Sequence, residues 1–298
     1  MKIEFFHPRY WPTWFGLFLL RLISSLPWPI VAFISDILGS IIFSIYKSRR
    51  RIAERNIQAC FPDYSKAKVT QVAKRSFQLG AQALFFTGIA WWASRKRYKQ
   101  LVYFDDSALR QYLENGQNLI ILTPHFVGLE LGGMSIAIDH PLMSMFQYAK
   151  NKLMHHMVMT KRIRFGGYLV ERKEPLRKLL KLLRKGIPFY YLPDQDAGQK
   201  GRFVPFFGIS ASSFDMLGKM SKMGNALVLP CSSKILDNGR GLELTLHPAI
   251  DNFPTGDDEQ DTIIQNKTME NLIREMPEQY LWAHKRFKSR PEGDKKFY

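Results

Sequence analysis

The chain holds only two cysteines in 298 residues, Cys60 and Cys231, far apart. With no CxxC pair and no metal-finger spacing, a disulfide framework and a structural zinc site lose their basis. The glycine-rich phosphate loop G-x-x-x-x-G-K-[ST], the dinucleotide fingerprint G-x-G-x-x-G and the metallopeptidase pair H-E-x-x-H are all missing. So is a G-x-S-x-G nucleophile elbow, since Gly208 to Ser212 begins like one and ends in serine. Acidic residues are scarce: 26 Asp and Glu face 43 Lys and Arg, a formal net charge of +17. Such a surface favours nucleic acid, anionic headgroups, phosphorylated substrates or an acidic carrier protein, and composition does not choose among them.

What is present argues for a folded chain. The apolar fraction is 46% and the aromatic fraction 13%, enough for one large α/β domain or two smaller ones with an ample core. The N-terminus does not read as a secretory leader, because its apolar region runs on too long and no small-residue cleavage site follows. Trp11 to Tyr46 is apolar and aromatic, broken by Arg21 and Asp36, and Leu22 to Ser35 carries no charge but holds Pro27 and Pro29. A clean span needs about 20 apolar residues. Either Trp14 to about Ser35 crosses a bilayer with Arg21 snorkelling, or a hairpin-like segment enters one leaflet. A buried helical hairpin is the third reading. Trp11, Trp14 and Trp28 near the segment ends favour a membrane interface, and "KSRRR" (Lys47 to Arg51) then puts the remainder on the cytoplasmic side. The expected division is a membrane-associated helical segment over 1–46 and a catalytic domain over 47–298.

Beyond the basic run, helical spacing covers "RIAERNIQACF" up to Pro62 and then Lys66 to Trp92. Strands are expected at Asn118 to Thr123, Ser144 to Tyr148, Ile187 to Leu192, Ala226 to Ser232 and Leu242 to His247. Helices are expected at Leu129 to Ile138, Lys152 to Ile163 and Phe214 to Met223, with a last one opened by the acidic loop "TGDDEQD". "EPLRKLLKLLRKG" is the clearest helix. Leu176, Leu179, Leu180 and Leu183 follow i, i+3, i+4, i+7, and Arg177, Lys178, Lys181, Arg184 and Lys185 form the other face. That face is either simply solvated or turned to an anionic partner. Strands alternating with helices imply an α/β fold with a mainly parallel central sheet flanked by helices.

The stretch "NLIILTPHFVGLELGG" (Asn118 to Gly133) carries the chemistry. Ligand groups gather at the carboxyl ends of strands in open α/β sheets, and His125 lies just past one. On one continuous helix His125 and Glu130 would point about 140° apart. They can meet only if the chain turns between them, which Gly128 would ease. A carboxylate on one ring nitrogen then fixes the tautomer and leaves the other nitrogen to take a proton from a hydroxyl. A capping histidine beside an unrelated glutamate is the competing reading. His155 and His156 are adjacent, so on a helix they diverge by about 100° and do not read as a metal pair.

These residues also resemble a known family. "HFVGLELG" (His125 to Gly132), "PDQDAG" (Pro193 to Gly198), "FVPFFG" (Phe203 to Gly208) and "PEQYLWAHKRFKSRPEG" (Pro277 to Gly293) look like the late acyltransferases of lipid A biosynthesis. "HPRYWPTWFG" (His7 to Gly16) and "RNIQACFP" (Arg55 to Pro62) match the same family, so the resemblance covers nearly the whole chain. The H-x4-D/E element is shared with a broader superfamily of glycerolipid acyltransferases. One departure is "SASSFDM" (Ser210 to Met216), standing where a threonine-rich run is usual. The resemblance implies an acyltransferase at the cytoplasmic face of a bacterial inner membrane. It would take a fatty acyl chain from acyl carrier protein and place it on a hydroxyl of a 3-hydroxyacyl chain of a phosphorylated, Kdo-bearing lipid A precursor. It implies no metal and no cofactor beyond the acyl carrier donor, and partners that are the carrier protein, the lipid precursor and membrane lipids, with no nucleic acid. His125 becomes the general base and Glu130 its orienting partner, while Arg162, Arg164, Asp194 and Asp196 fall at substrate-binding positions. Phe203, Phe206 and Phe207 either line an acyl groove or pack in the core. His284 reads as structural. The runner-up readings are a glycerophosphate or lysophospholipid acyltransferase, whose "EGTR"-like motif is missing here, a non-catalytic basic membrane-surface protein, and a hydrolase.

Overall fold

The computed structural model describes residues 3–298. Two apolar helices come first, α1 (Trp11–Ile23) and α2 (Trp28–Ile45), followed by α3 (Lys47–Cys60) and the long α4 (Lys66–Trp92). Ser65 caps α4 by accepting from the Lys68 N–H. After the short α5 (Arg95–Lys99) come β1 (Val102–Phe104), α6 (Ser107–Glu114), β2 (Asn118–Leu122) and α7 (Leu129–Ala137). Then follow β3 (Met143–Phe146), α8 (Lys152–Arg162), β4 (Tyr168–Glu171), α9 (Leu176–Leu183) and β5 (Phe189–Tyr191). A hairpin of β6 (Arg202–Phe206) and β7 (Ile209–Ser213) precedes α10 (Leu217–Gly224), β8 (Ala226–Leu236), β9 (Gly241–Leu246) and α11 (Asp258–Glu275).

Seven strands form one sheet in the order β1-β9-β8-β2-β5-β3-β4, parallel throughout except for the antiparallel β8–β9 pair. The mainly parallel, helix-flanked sheet expected from the alternation of periods is therefore present. Side chains of β2 and β5 alternate between the faces, as a period of two requires. Leu119, Ile121 and Tyr190 pack with α6 and α7, whereas Ile120, Leu122, Phe189 and Tyr191 pack with α9 and α10. Helices α1, α2 and α4 share a core with α7 on the first side. The basic helix α9 thus sits behind the sheet from α1 and α2.

The N-terminal segment differs from a single crossing over Trp14 to Ser35. The chain turns at Ser24–Pro27, and Pro29 falls in the first turn of α2, where its missing N–H costs nothing. Of the described helices, only α2 is long and apolar enough to cross a bilayer, with 18 residues at mean hydropathy 1.9. Both helices carry large apolar side chains on their inner and outer faces. Leu17 and Leu20, then Val31 and Phe43, face the protein, while Trp11, Phe15, Phe18 and Leu22, then Phe33, Ile37, Ile41 and Ile45, are exposed. Within residues 3–46, Asp36 of α2 pairs with Arg75 of α4 at 2.8 Å, and Leu17, Leu20 and Val31 join the core around Phe86 and Leu131.

Candidate active site

His125 lies three residues past Leu122 of β2, and Asp194 three past Tyr191 of β5. Leu122 and Tyr191 are register partners in adjacent parallel strands. Each strand runs out through a proline, Pro124 or Pro193, so equal offsets bring the two side chains together at the carboxyl edge of the sheet. The His125 ring nitrogen Nδ1 is 2.6 Å from Asp194 Oδ1, and the His125 backbone N–H donates to Asp194 Oδ2 at 2.8 Å. The Asp194 side chain is completely buried, and that of His125 is 22% exposed.

A strap over residues 276–282 fixes the histidine loop. Val127 N–H donates to the Gln279 carbonyl, Leu281 N–H donates to the His125 carbonyl, and Phe126 and Tyr280 form an isolated bridge. The strap is itself pinned, by the Gln279 amide paired with the Ile235 backbone and by the Ser76 hydroxyl donating to the Tyr280 carbonyl. His125 is thereby held before any substrate arrives, the arrangement that spares reorganisation during reaction.

The carboxylate on the His125 ring is Asp194, where the sequence analysis expects Glu130. Glu130 binds the Arg162 guanidinium in two-pronged fashion, Nε to Oε1 at 2.9 Å and Nη2 to Oε2 at 2.6 Å. A carboxylate so engaged by arginine has its charge and lone pairs committed, and the His125 ring is drawn the other way by a carboxylate that also takes its backbone N–H. Gly128 has φ −83°, a conformation open to any residue. What crowds a side chain there is Leu242, whose Cδ1 would lie 2.9 Å from a Cβ and would have to shift. Gly132 answers to packing as well, with Leu244 Cδ1 at 3.1 Å and the Tyr190 hydroxyl at 3.2 Å from such a Cβ.

The electrostatics favour an ionised Asp194 beside an easily protonated histidine. Burial opposes charge on both, but Asp194's negative charge and hydrogen bond outweigh it at His125 and hold the imidazole above its ordinary value. Burial would likewise raise Asp194, yet the charge, ring and backbone N–H of His125 hold its carboxyl below the usual range. At Arg162 burial opposes the charge, and Glu130 more than restores it.

His125 stands between two cavities. One of about 150 Å³ runs along α7, lined by Leu129, Gly133, Met134, Ala137 and Leu142, with Glu130 and Arg162 on its wall. The other, of about 400 Å³, lies toward the α9 side and is lined by Phe189, Tyr191, Phe214, Gln147, Gln195 and Arg172. Phe206 and Phe207 line neither; they are buried with Phe61, Trp282 and Phe287, and Phe203 also lies outside both walls. The apolar groove is thus built from α7 and the start of β3.

The remaining expected binding residues have structural partners. Asp196 accepts from the Ser289 N–H and hydroxyl, each at 3.0 Å, tying the C-terminal segment to the loop after β5. Arg164 donates to the Ala90 and Ala93 carbonyls at the end of α4. His284 Nε2 accepts from the Asp196 N–H. Arg286, which the sequence does not single out, is buried and donates to the Ser212 carbonyl and the Ser213 hydroxyl. Of the two hydroxyls standing where threonines are usual, that of Ser213 accepts from Arg286 and that of Ser212 donates to the Gly198 carbonyl. The signal for Asp194 is the repeat of strand-x-Pro-charged residue in "LTPH" and "YLPD", readable once β2 and β5 are known to be neighbours.

A histidine on a buried aspartate, open to an apolar groove and flanked by a fixed arginine, is chemically able to pass a proton at the mouth of that groove. Comparison with known proteins gives the family. The family model for bacterial lipid A biosynthesis acyltransferases matches residues 1–289. The lipid A biosynthesis palmitoleoyltransferase of Escherichia coli (strain K12) is 33% identical over 99% of this chain and 97% of its own length. The lauroyltransferase of the same organism is 30% identical over 96% and 94%, and its myristoyltransferase 28% identical over 98% and 91%. The chain belongs to the bacterial lipid A biosynthesis acyltransferase family and is an acyltransferase.

Proposed function

We propose that the protein transfers a fatty acyl chain from acyl carrier protein to a hydroxyl of a 3-hydroxyacyl chain on a phosphorylated, Kdo-bearing lipid A precursor. The observation that carries this is the His125–Asp194 pair at the junction of an apolar groove and a second, more polar cavity. With Nδ1–H committed to Asp194, Nε2 accepts the acceptor hydroxyl proton as its oxygen attacks the thioester carbon. The tetrahedral intermediate collapses, the C–S bond breaks, and the departing thiolate takes the proton back from the imidazolium. No covalent enzyme intermediate is required, and such a base contributes about 10²–10⁴-fold. Arg162, held by Glu130, supports the binding of an anionic group at the groove wall. The acyl chain fits the groove along α7.

The exposed apolar stripes of α1 and α2 support attachment to the cytoplasmic face of the inner membrane, with these helices in the lipid. The basic face of α9, behind the sheet from those stripes, suits an acidic carrier protein arriving from solution. The identities to palmitoleoyl, lauroyl and myristoyl transferases lie within a few per cent of each other, so the chain length is not carried over.

The test is turnover of purified protein with carrier-bound acyl thioesters and a tetra-acylated precursor. His125→Ala is expected to lose about 10³-fold or more in kcat, with the fold intact by circular dichroism. Near-normal turnover in that variant would overturn the mechanism, and thioester loss at the same rate without acceptor would make the protein a hydrolase.

A further inference from the structure

Four cations lie over the rings of Trp92 and Phe165 with no carboxylate among them. The Arg21 guanidinium lies 5.7 Å and the Lys161 ammonium 5.6 Å from the centroid of the Trp92 ring. Arg164 and Arg95 lie 4.3 Å and 5.8 Å from the Phe165 ring. They come from separate segments: the last turn of α1, the last turn of α8, the turn after α8 and the start of α5. Among the described residues none of the four makes an ion pair. Arg164 alone has hydrogen-bond acceptors, the carbonyls closing α4. Burial, with the charges of Arg164 and Arg21, pushes the Lys161 ammonium below its ordinary range, and burial with Arg21 does the same to Arg164. Folding therefore gathers like charges at a cost that a bound anion would remove.

The surroundings say what the anion is attached to. Arg21 lies between Phe18 and Leu22 of the exposed apolar stripe of α1, so a ligand reaching it has a greasy neighbour. Lys161 immediately precedes Arg162, which faces the catalytic groove. Successive helical residues diverge by about 100°, so one turn of α8 offers a cation to each place. A phosphate has the charge and the several acceptor oxygens that an arginine-lysine cluster satisfies.

We propose that Arg21 and Lys161 on the Trp92 ring, with Arg164 on the Phe165 ring, bind a phosphate of a lipid, and that this phosphate belongs to the acceptor of the acyl transfer. The inference rests on the functional reading above. Bilayer phospholipid offers the same group, and the experiment separates the two sources. Arg164 also closes α4, so the informative variants are Arg21→Ala and Lys161→Ala, with Lys161→Arg as the conservative replacement. Michaelis constants are measured with a tetra-acylated, bisphosphorylated acceptor and with the same acceptor after phosphatase treatment. Binding to phosphatidylglycerol vesicles is measured in parallel.

Each alanine variant is expected to raise KM for the phosphorylated acceptor about tenfold, with a smaller change in kcat, as loss of a charge-assisted hydrogen bond would. Lys161→Arg recovers most of this. For the dephosphorylated acceptor the wild type is already weak and the variants add nothing further. Unchanged KM for the phosphorylated acceptor, or equal losses with and without phosphate, would overturn the proposal. Loss of vesicle binding alone would assign the site to the bilayer and overturn the acceptor assignment. No turnover of either acceptor by the wild type would instead sink the functional reading itself.

Discussion

At the scale of single residues, the two carboxylates near His125 divide the work. Asp194 is buried and holds the ring, whereas Glu130 holds Arg162. Glu130→Gln keeps the shape but loses the charge that fixes the guanidinium. The expected outcome is a rise in KM for the lipid acceptor of about ten- to a hundredfold, with a smaller fall in kcat. Steady-state kinetics check it, and a fall in kcat alone would tie Glu130 to the proton transfer instead. The sequence makes His125 legible because an apolar run ending in Pro-His leaves an imidazole without a core role. It does not make the pairing legible. Glu130 is near in sequence, Asp194 is 69 residues away, and the choice depends on β2 and β5 being neighbours, which no local pattern encodes.

Among the elements, those with strong periodicity stand where the sequence puts them: α4 over Lys66–Trp92, α7 from Leu129 and α8 from Lys152. The β6–β7 hairpin and the short β1 and β4 are not evident, because three to five residues offer too few alternations to be read. Pro27 and Pro29 signal a break in the N-terminal segment, and the structure turns the chain there into two helices. Helix α9 carries a prediction of its own. It leaves the carboxyl edge of the sheet just after Arg172, which lines the larger cavity, and it turns Arg177 and Lys181 outward. Reversing both, Arg177→Glu with Lys181→Glu, is expected to raise KM for a carrier-bound acyl donor about tenfold while leaving a small acyl-pantetheine donor unaffected. Equal effects on the two donors would place the carrier elsewhere.

For the whole molecule, the sheet separates two environments. On one side α1 and α2 turn apolar stripes outward; on the other lies the basic face of α9. The net charge of +17 is compatible with the anionic membrane and the acidic donor of the proposed function. Placing charge in the stripe, Phe33→Asp with Ile37→Asp, is expected to shift the protein from vesicle-bound to free in co-sedimentation, with melting temperature nearly unchanged because both side chains are exposed. Unaltered sedimentation would mean that the stripe is covered by something other than lipid.

The most direct test concerns the His125–Asp194 unit, through the pH dependence of kcat/KM in wild type, Asp194→Asn and Glu130→Gln. The proposed mechanism needs neutral imidazole, and Asp194 raises the pH at which the imidazole becomes neutral. The wild-type profile is therefore expected to climb through an apparent pKa above about 6.5, the ordinary histidine value. Asp194→Asn should move that limb to lower pH and cut the plateau by about 10³-fold or more, while Glu130→Gln leaves the limb nearly in place. A limb that shifts with Glu130→Gln and stays put with Asp194→Asn would contradict the assignment of Asp194 as the partner of the base.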